Sequence, residues 1–454
     1  MLEGIQKSKL KVMIAITLSL FLASCGGETP APVTRTTAPD IEQPSDAAQE
    51  NILPDETTVG TLQVEAEEDI IIGIMLPLSG SEGETGKALL RAATMALFDA
   101  YNPSVKLLPF DTQADYAQTK IVAEQAVEAG VSVVIGPLLA SNVEAAGDVL
   151  APHGITLIGF SNDSGVAKEG RFIMGFMPET EVKRVLNYAY QSGMRKYAAL
   201  VPQGRYGNRV QAIFGETVSS AGADILAIES YPPDMEALED PVKRIASYDE
   251  RRKNRRDEIR FLRSLSDDLT DEIADDIEKS EVLEDVEYEA ILLPEGGDLL
   301  KNLAPLLPFY EVDPNKIKLL GTGLWSDESL LREPPLQGAW FAGPQPEAPL
   351  SFMARFEEAY GEAPPRIATL AYDAMSLVSF LIREDMDVNS VKDRFSADIL
   401  TSETGFMGVD GLFRFLPDGT IERTLAVLEV NRRGFKVIDP APEAFPSFGF
   451  ALSR

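Results

Sequence analysis

One histidine and one cysteine occur in 454 residues, and both scarcities narrow the chemistry before any fold is considered. With His153 alone, the usual His/Cys zinc sites, Cys–His pairs and Ser–His–Asp triads lack their parts. Cys25 has no second cysteine to pair with, so no disulfide holds this chain together. Basic residues are also short, 41 Lys and Arg against 72 Asp and Glu, for a formal net charge of −31. That balance argues against nucleic acid or anionic headgroups as partners, since both demand a basic face. With so many carboxylates, chance pairs are expected, and a two-carboxylate enzyme leaves no distinguishing mark. Catalytic residues, a cofactor and a metal site are therefore not expected. His153 itself stands in Ala-Pro-His-Gly, between a helix end and the strand Ile155 to Gly159, where a cation suits the helix dipole.

Long apolar runs are missing as well. Val12 to Leu22 is apolar but too short to span a bilayer, and nothing downstream is longer. Lys7, Lys9 and Lys11 precede that run, and Leu22-Ala23-Ser24-Cys25 closes it. This segment resembles a bacterial lipoprotein signal. The resemblance implies that Cys25 is lipidated and becomes the mature N-terminus, and that Gly26, in place of Asp, directs sorting to the outer membrane. Residues 26–68 are Pro-, Thr-, Ala- and acid-rich without apolar periodicity, a composition that cannot bury enough surface to offset chain entropy. They are expected to form a disordered tether between the lipid-anchored Cys25 and a periplasmic body.

The body alternates buried strands with amphipathic helices. Ile70 to Leu76 is apolar without a break, as a strand covered on both faces must be, and Ala88, Leu89, Ala92, Ala96 and Leu97 keep helical spacing. Strands at Val105 to Phe110, Val131 to Ile135 and Ile155 to Gly159, with helices at Ala117 to Ala129 and Ser141 to Leu150, predict an α/β unit with a parallel sheet. The rhythm restarts at Lys196 to Val201 and runs through Gly207 to Ala221, Ala223 to Glu229, Tyr288 to Leu293, Leu299 to Leu307 and Ile317 to Gly321. Two lobes are expected, since together they exceed what one core usually supports. Lobe 1 is placed at 69–180 and 345–420, lobe 2 at 181–344 and 421–440, and a tail at 441–454. Helices Ser351 to Tyr360 and Ile367 to Arg383 and a late hairpin, Gly411 to Phe415 with Thr424 to Val430 around Asp418-Gly419, are expected to complete them.

Four stretches carry a family likeness: Ile74-Met75-Leu76-Pro77-Leu78-Ser79-Gly80, Val134-Ile135-Gly136-Pro137-Leu138, Gly204-Arg205-Tyr206-Gly207 and Leu370-Ala371-Tyr372-Asp373-Ala374. They resemble type I periplasmic-binding proteins of the branched-chain amino acid class, over roughly Ile70 to Ile438. The resemblance implies two lobes joined by three crossings, with ligand enclosed at the C-terminal ends of the strands. Two features, the insertion after Tyr231-Pro232-Pro233-Asp234 and the run Tyr288 to Gly297, resemble penicillin-binding-protein activators, lipoproteins of the outer membrane that stimulate peptidoglycan synthases. That likeness implies a non-catalytic protein with a penicillin-binding protein as partner. The alternative is a substrate-binding lipoprotein delivering a branched-chain amino acid or similar small ligand to an ABC importer.

A cleft ligand would draw on Ser79, on Ser141 and Asn142 at a helix start, on Ser161 and Asn162 after the next strand, and, by resemblance, on Tyr206 of lobe 2. Ser141 reads equally well as an N-cap and Tyr206 as a turn aromatic. Amino-acid binders of the family carry a carboxylate for the ammonium just after the strand matching Ile317 to Gly321. Here Gly321-Thr322-Gly323-Leu324-Trp325 holds none, so a zwitterion would be left with an unpaired charge. Asp163 or Asp327 are the nearest substitutes, at other positions. The insertion at 234–287 sets Ile259, Leu262, Leu265, Leu269, Ile273 and Ile277 on one helical face beside Arg251, Arg252, Lys253, Arg255 and Arg256. It is either a solvated helical decoration or a docking arm.

Overall fold

The computed structural model describes residues 69–280, 283–383 and 390–445. Cys25, the signal and the tether expected at 26–68 lie outside the described residues, as does most of the expected tail. The chain begins with β1 (Ile70–Leu76), α1 (Gly83–Ala100), β2 (Val105–Asp111), α2 (Tyr116–Glu128), β3 (Val133–Ile135), α3 (Ala140–Leu150), β4 (Thr156–Gly159) and β5 (Arg171–Ile173). These strands make a parallel sheet in the order β2-β1-β3-β4-β5. β1 is apolar throughout because helices cover both its faces. α2 starts where Asp115 leaves extended backbone and its carboxylate accepts the Gln118 N–H at 2.7 Å, an N-cap of the usual kind.

The chain then enters a second sheet through α4 (Pro178–Gln191), β6 (Lys196–Pro202), α5 (Arg205–Ser220) and β7 (Asp224–Tyr231). The insertion follows as α6 (Glu239–Ile245), α7 (Tyr248–Ser264) and α8 (Asp268–Lys279), and β8 (Ala290–Leu292), α9 (Gly297–Phe309), β9 (Lys318–Gly321) and β10 (Trp340–Gly343) complete the parallel part. It returns to the first lobe as α10 (Glu347–Tyr360), α11 (Ala368–Leu381), α12 (Ala397–Leu400), β11 (Phe406–Gly408), β12 (Gly411–Phe415) and β13 (Ile421–Arg423). β14 (Ala426–Asn431) and β15 (Gly434–Asp439) end it as antiparallel strands beside β10, giving the order β15-β14-β10-β9-β8-β6-β7. The first lobe has one apolar cluster, which Phe352, Phe356 and Leu370 join, and the seven-stranded sheet has two, with Trp325 and Phe341 in one and Val210 and Phe214 in the other. Full burial of each such side chain contributes about 1.5–3 kcal/mol. No helix among the described residues is long and apolar enough to cross a membrane.

The expected late hairpin is not formed as drawn. Gly411–Phe415 turns at Asp418-Gly419 and pairs with Ile421–Arg423, a tighter partner, while Ala426–Asn431 leaves for the other sheet and pairs with Trp340–Gly343. Thr424 and Leu425 are spent on the passage between lobes. Leu370 to Ala374 owes its pattern to a buried ionic tie within lobe 1. Asp373 accepts the Val409 N–H at 2.7 Å and faces Arg423 at 3.5 Å, both nearly out of solvent. Asp410 is held by Arg366 at 2.7 Å and by the Thr369 hydroxyl at 2.6 Å. These bonds fasten α11 to the loop and strands that follow it.

The insertion is a helical hairpin standing on lobe 2. Part of its basic run is structural: Arg251 is buried and donates to the carbonyls of Ala246 at 2.8 Å, Glu284 at 2.7 Å and Tyr310 at 2.8 Å, and Arg255 donates to Ile277 O at 2.8 Å. Of the apolar face, Ile259, Leu262 and Ile277 are half-buried and Ala274 is buried, whereas Leu265, Leu269 and Ile273 are exposed.

Candidate ligand cleft

The three passages between sheets bring the C-terminal ends of the strands face to face around a cleft of about 520 Å³. Its lobe 1 wall is apolar, with Leu138, Leu139, Phe160, Ile367 and Leu370, and Phe176 lies at the passage into α4. On the lobe 2 side α4 opens with Pro178 and acids in its first turn, which suits the positive end of a helix. One of these acids, Glu181, turns into the cleft and is buried, accepting the Gly323 N–H at 3.0 Å. A Cβ at position 323 would come within 2.4 Å of its carboxylate oxygen, so a larger residue there would displace the Glu181 carboxyl. Burial pushes the Glu181 carboxyl up to about 7; the Gly323 N–H and Arg366 counter this and Glu179 adds to it.

The turn Gly204-Arg205-Tyr206-Gly207 opens α5 against the end of β6. Any side chain at Gly207 would meet the Pro202 carbonyl oxygen at 1.6 Å. This close approach aims Tyr206 into the cleft, where burial pushes its hydroxyl above the ordinary tyrosine range. Thr322 Oγ lies beside it, and among the described residues neither hydroxyl completes a hydrogen bond of ordinary geometry. Arg366, the cation on the lobe 1 wall, is committed to Asp410 and stacks on the Phe176 ring at 4.2 Å.

The lobes are tied to each other at the cleft edge. Asp163, after β4 in lobe 1, receives Arg209 of α5 at 2.9 Å and Arg205 at 2.7 Å, and caps the Gly165 N–H at 3.0 Å. Arg209 also donates to the Asn162 carbonyl at 2.7 Å. Arg209 and Asp163 are mostly out of solvent, while Arg205 is 82% exposed. Lobe 2 therefore grips lobe 1 through the protein's own charges.

Of the candidate ligand-binding residues, Asn162 and Tyr206 line the cleft, while Ser79, Ser141, Asn142 and Ser161 serve elsewhere. Ser79 is exposed and donates to Asp111 at 2.6 Å. Ser141 lies inside α3, whose N-cap position is Leu139, and donates to Asn142 Oδ1 at 3.2 Å. Asn142 is buried and donates to Thr119 Oγ at 2.8 Å, joining α3 to α2. The Ser161 hydroxyl accepts the Asp163 N–H at 3.0 Å. Neither substitute carboxylate is free: Asp163 is taken by the arginines, and Asp327, though it lines the cleft, caps the Ser329 N–H at 2.8 Å. Glu181 and the two arginines were not singled out. The acid-rich start of α4 was the available signal for Glu181, but a first-turn acid is ordinary and only the fold turns it inward. No group of three His, Cys, Asp or Glu side chains among the described residues is placed to hold a metal ion.

Residues 69–251 match the family model described as periplasmic binding protein. An uncharacterized protein of Rickettsia prowazekii is 24% identical over 212 residues, 46% of this chain and 56% of that protein. The penicillin-binding protein activator LpoA of Pasteurella multocida is 28% identical over 147 residues, 32% of this chain and 24% of that protein. The chain thus spans little more than half of one of these curated relatives and about a quarter of the other. Among solved structures, an ABC transporter substrate-binding protein from Sphaerobacter thermophilus superposes with a TM-score of 0.63 at 20% identity, covering 84% of this chain and 100% of that one. Residues 69–251 are thus similar to the periplasmic binding protein family, the fold is that of the solved substrate-binding protein, and about a third of the chain is distantly similar to the LpoA activator.

Proposed function

We propose that this is a non-catalytic periplasmic protein, anchored to the outer membrane through lipidated Cys25, that regulates peptidoglycan synthesis by contacting and activating a penicillin-binding protein. The observation that carries the reading is the Asp163–Arg209 tie. A transport protein uses its ligand to hold the lobes together, and its cleft has to open and refill. A chain that closes the lobes with its own ion pairs presents one fixed surface without ligand, which is what a contact regulator needs. The likeness to the LpoA activator supports the same partner.

A second reading, a substrate-binding lipoprotein of an ABC importer for branched-chain amino acids or a similar small ligand, rests on Glu181. This buried carboxyl and the unsatisfied Tyr206 and Thr322 hydroxyls are groups an ammonium or hydroxyl could satisfy. The discriminating experiment is direct binding of the full-length, detergent-solubilised protein to the purified penicillin-binding proteins of its own cell. Saturable binding to one of them, unaltered by leucine, isoleucine or valine, supports the first reading. Absence of binding to any of them rejects it.

A further inference from the structure

The free end of the insertion hairpin exposes large apolar side chains from both of its helices. Phe261 is 62% exposed and Leu265 50% at the end of α7, and Leu269 is 63% and Ile273 41% exposed at the start of α8. None of them joins the apolar clusters of the body. Together they present on the order of a few hundred Å², the size at which an exposed apolar patch stops being ordinary surface.

The charges around this tip say what covers it. The cations near it are already satisfied: Arg260 pairs with Asp257 at 2.8 Å, and Arg263 with Asp275 at 3.1 Å and with Glu278. Asp267, Asp268, Asp271, Glu272 and Asp276 form no ion pair among the described residues, so the α8 side of the patch is ringed by uncompensated carboxylates. Anionic lipid is repelled by such a ring. A second copy of the chain would bring the same acids into opposition, at a net charge of −31 per chain.

We infer that the α7–α8 tip is a docking surface for a protein that offers an apolar groove with a lysine- or arginine-lined rim. Phe261 and Leu269 fill the groove and the α8 carboxylates meet the rim, a helical-hairpin form of helix-in-groove recognition. A stable interface covers about 800 Å² on each partner, so the flank of lobe 2 beside the hairpin is covered as well. Naming the partner a penicillin-binding protein rests on the proposed function; the apolar tip and its acid ring do not.

The test uses the full-length, solubilised protein and the penicillin-binding protein that binds it. Phe261→Ser combined with Leu269→Ser leaves the buried residues untouched and is expected to weaken binding at least tenfold. Asp268→Asn with Asp271→Asn and Glu272→Gln is expected to weaken it several-fold and to flatten its salt dependence. Wild-type binding that both variants retain overturns the docking surface and leaves the proposed function standing. If no penicillin-binding protein binds at all, a photo-crosslinking residue at position 265 in living cells decides the matter. One protein adduct, lost in the Phe261→Ser/Leu269→Ser variant and reduced in the carboxylate variant, then supports the surface with another partner. Adducts to lipid, adducts to itself, or none overturn it.

Discussion

If the lobes are held by the protein's own charges, removing Arg209 should open them. Arg209 donates to Asp163 at 2.9 Å and to the Asn162 carbonyl at 2.7 Å, with 21% of its side chain in solvent and 14% of that of Asp163. Charge-assisted bonds of this burial contribute about 1.5–3 kcal/mol each, and partial exposure brings the pair to about 2 kcal/mol in all. Arg205, largely in solvent, adds little. Loss of about 2 kcal/mol shifts an open–closed equilibrium roughly thirtyfold. The sole native cysteine is Cys25, so a Cys25→Ser background accepts unambiguous spin labels at Glu124→Cys in lobe 1 and Glu216→Cys in lobe 2. Pulsed electron resonance should give one short distance without any ligand, and Arg209→Ala should add a longer one. Asp163→Asn should do the same, and the double substitution should add little to either, because both remove one interaction. Identical distance distributions in all four proteins would refute the tie as the closing element.

Three further outcomes follow from the same structure. Because Glu181 has its pKa raised from 4.5 to about 7, the folded protein binds this proton more tightly than the unfolded chain; the contribution of Glu181 to stability should be greatest below about pH 4.5, fall between 4.5 and 7, and level off above. The difference is about 3 kcal/mol, so Glu181→Gln should be the more stable protein at pH 8 by up to that amount, with urea unfolding at pH 5 and 8 as the check; an unchanged pH slope in the variant would contradict the assignment. Leucine, isoleucine and valine should bind more weakly than about 10 µM by calorimetry, since the cleft carboxyl that could pair their ammonium, Glu181, is raised to about 7 by burial and already accepts the Gly323 N–H. A sub-micromolar signal that Glu181→Gln removes would instead promote the import reading. Cys25→Ser should release the protein from the outer-membrane fraction, and persistence there after a salt wash would count against lipidation.

The sheets were legible because parallel strands covered on both faces must be apolar without a break, as in Ile70–Leu76 and Ala290–Leu292. Short or edge strands such as Arg171–Ile173 and Gly434–Asp439 carry too few apolar residues to announce themselves. Helix α4 begins Pro-Glu-Thr-Glu and shows its apolar face only from Val182 onward. The cleft was legible in part. Asn162 follows from its place after a strand, and Tyr206 from the resemblance of its turn to the family's. Ser141 and Asn142 do not reach the cleft, because Asn142 lies on the buried face of α3 and bonds Thr119 of α2, while Ser141 is exposed. Glu181, Arg205 and Arg209 depend on which surfaces the three passages bring together, and no local pattern encodes that. The buried pair Asp373–Arg423 and the pair of buried Asp410 with half-buried Arg366 are long-range for the same reason.

The measurement closest to the central claim is the rate of peptidoglycan synthesis by the purified penicillin-binding protein that binds this chain, titrated with the full-length protein. The account predicts a saturable increase in rate, unchanged by added leucine, isoleucine or valine and retained in the Glu181→Gln protein. A rate that stays flat across the titration, or one that rises only when an amino acid fills the cleft, would contradict it.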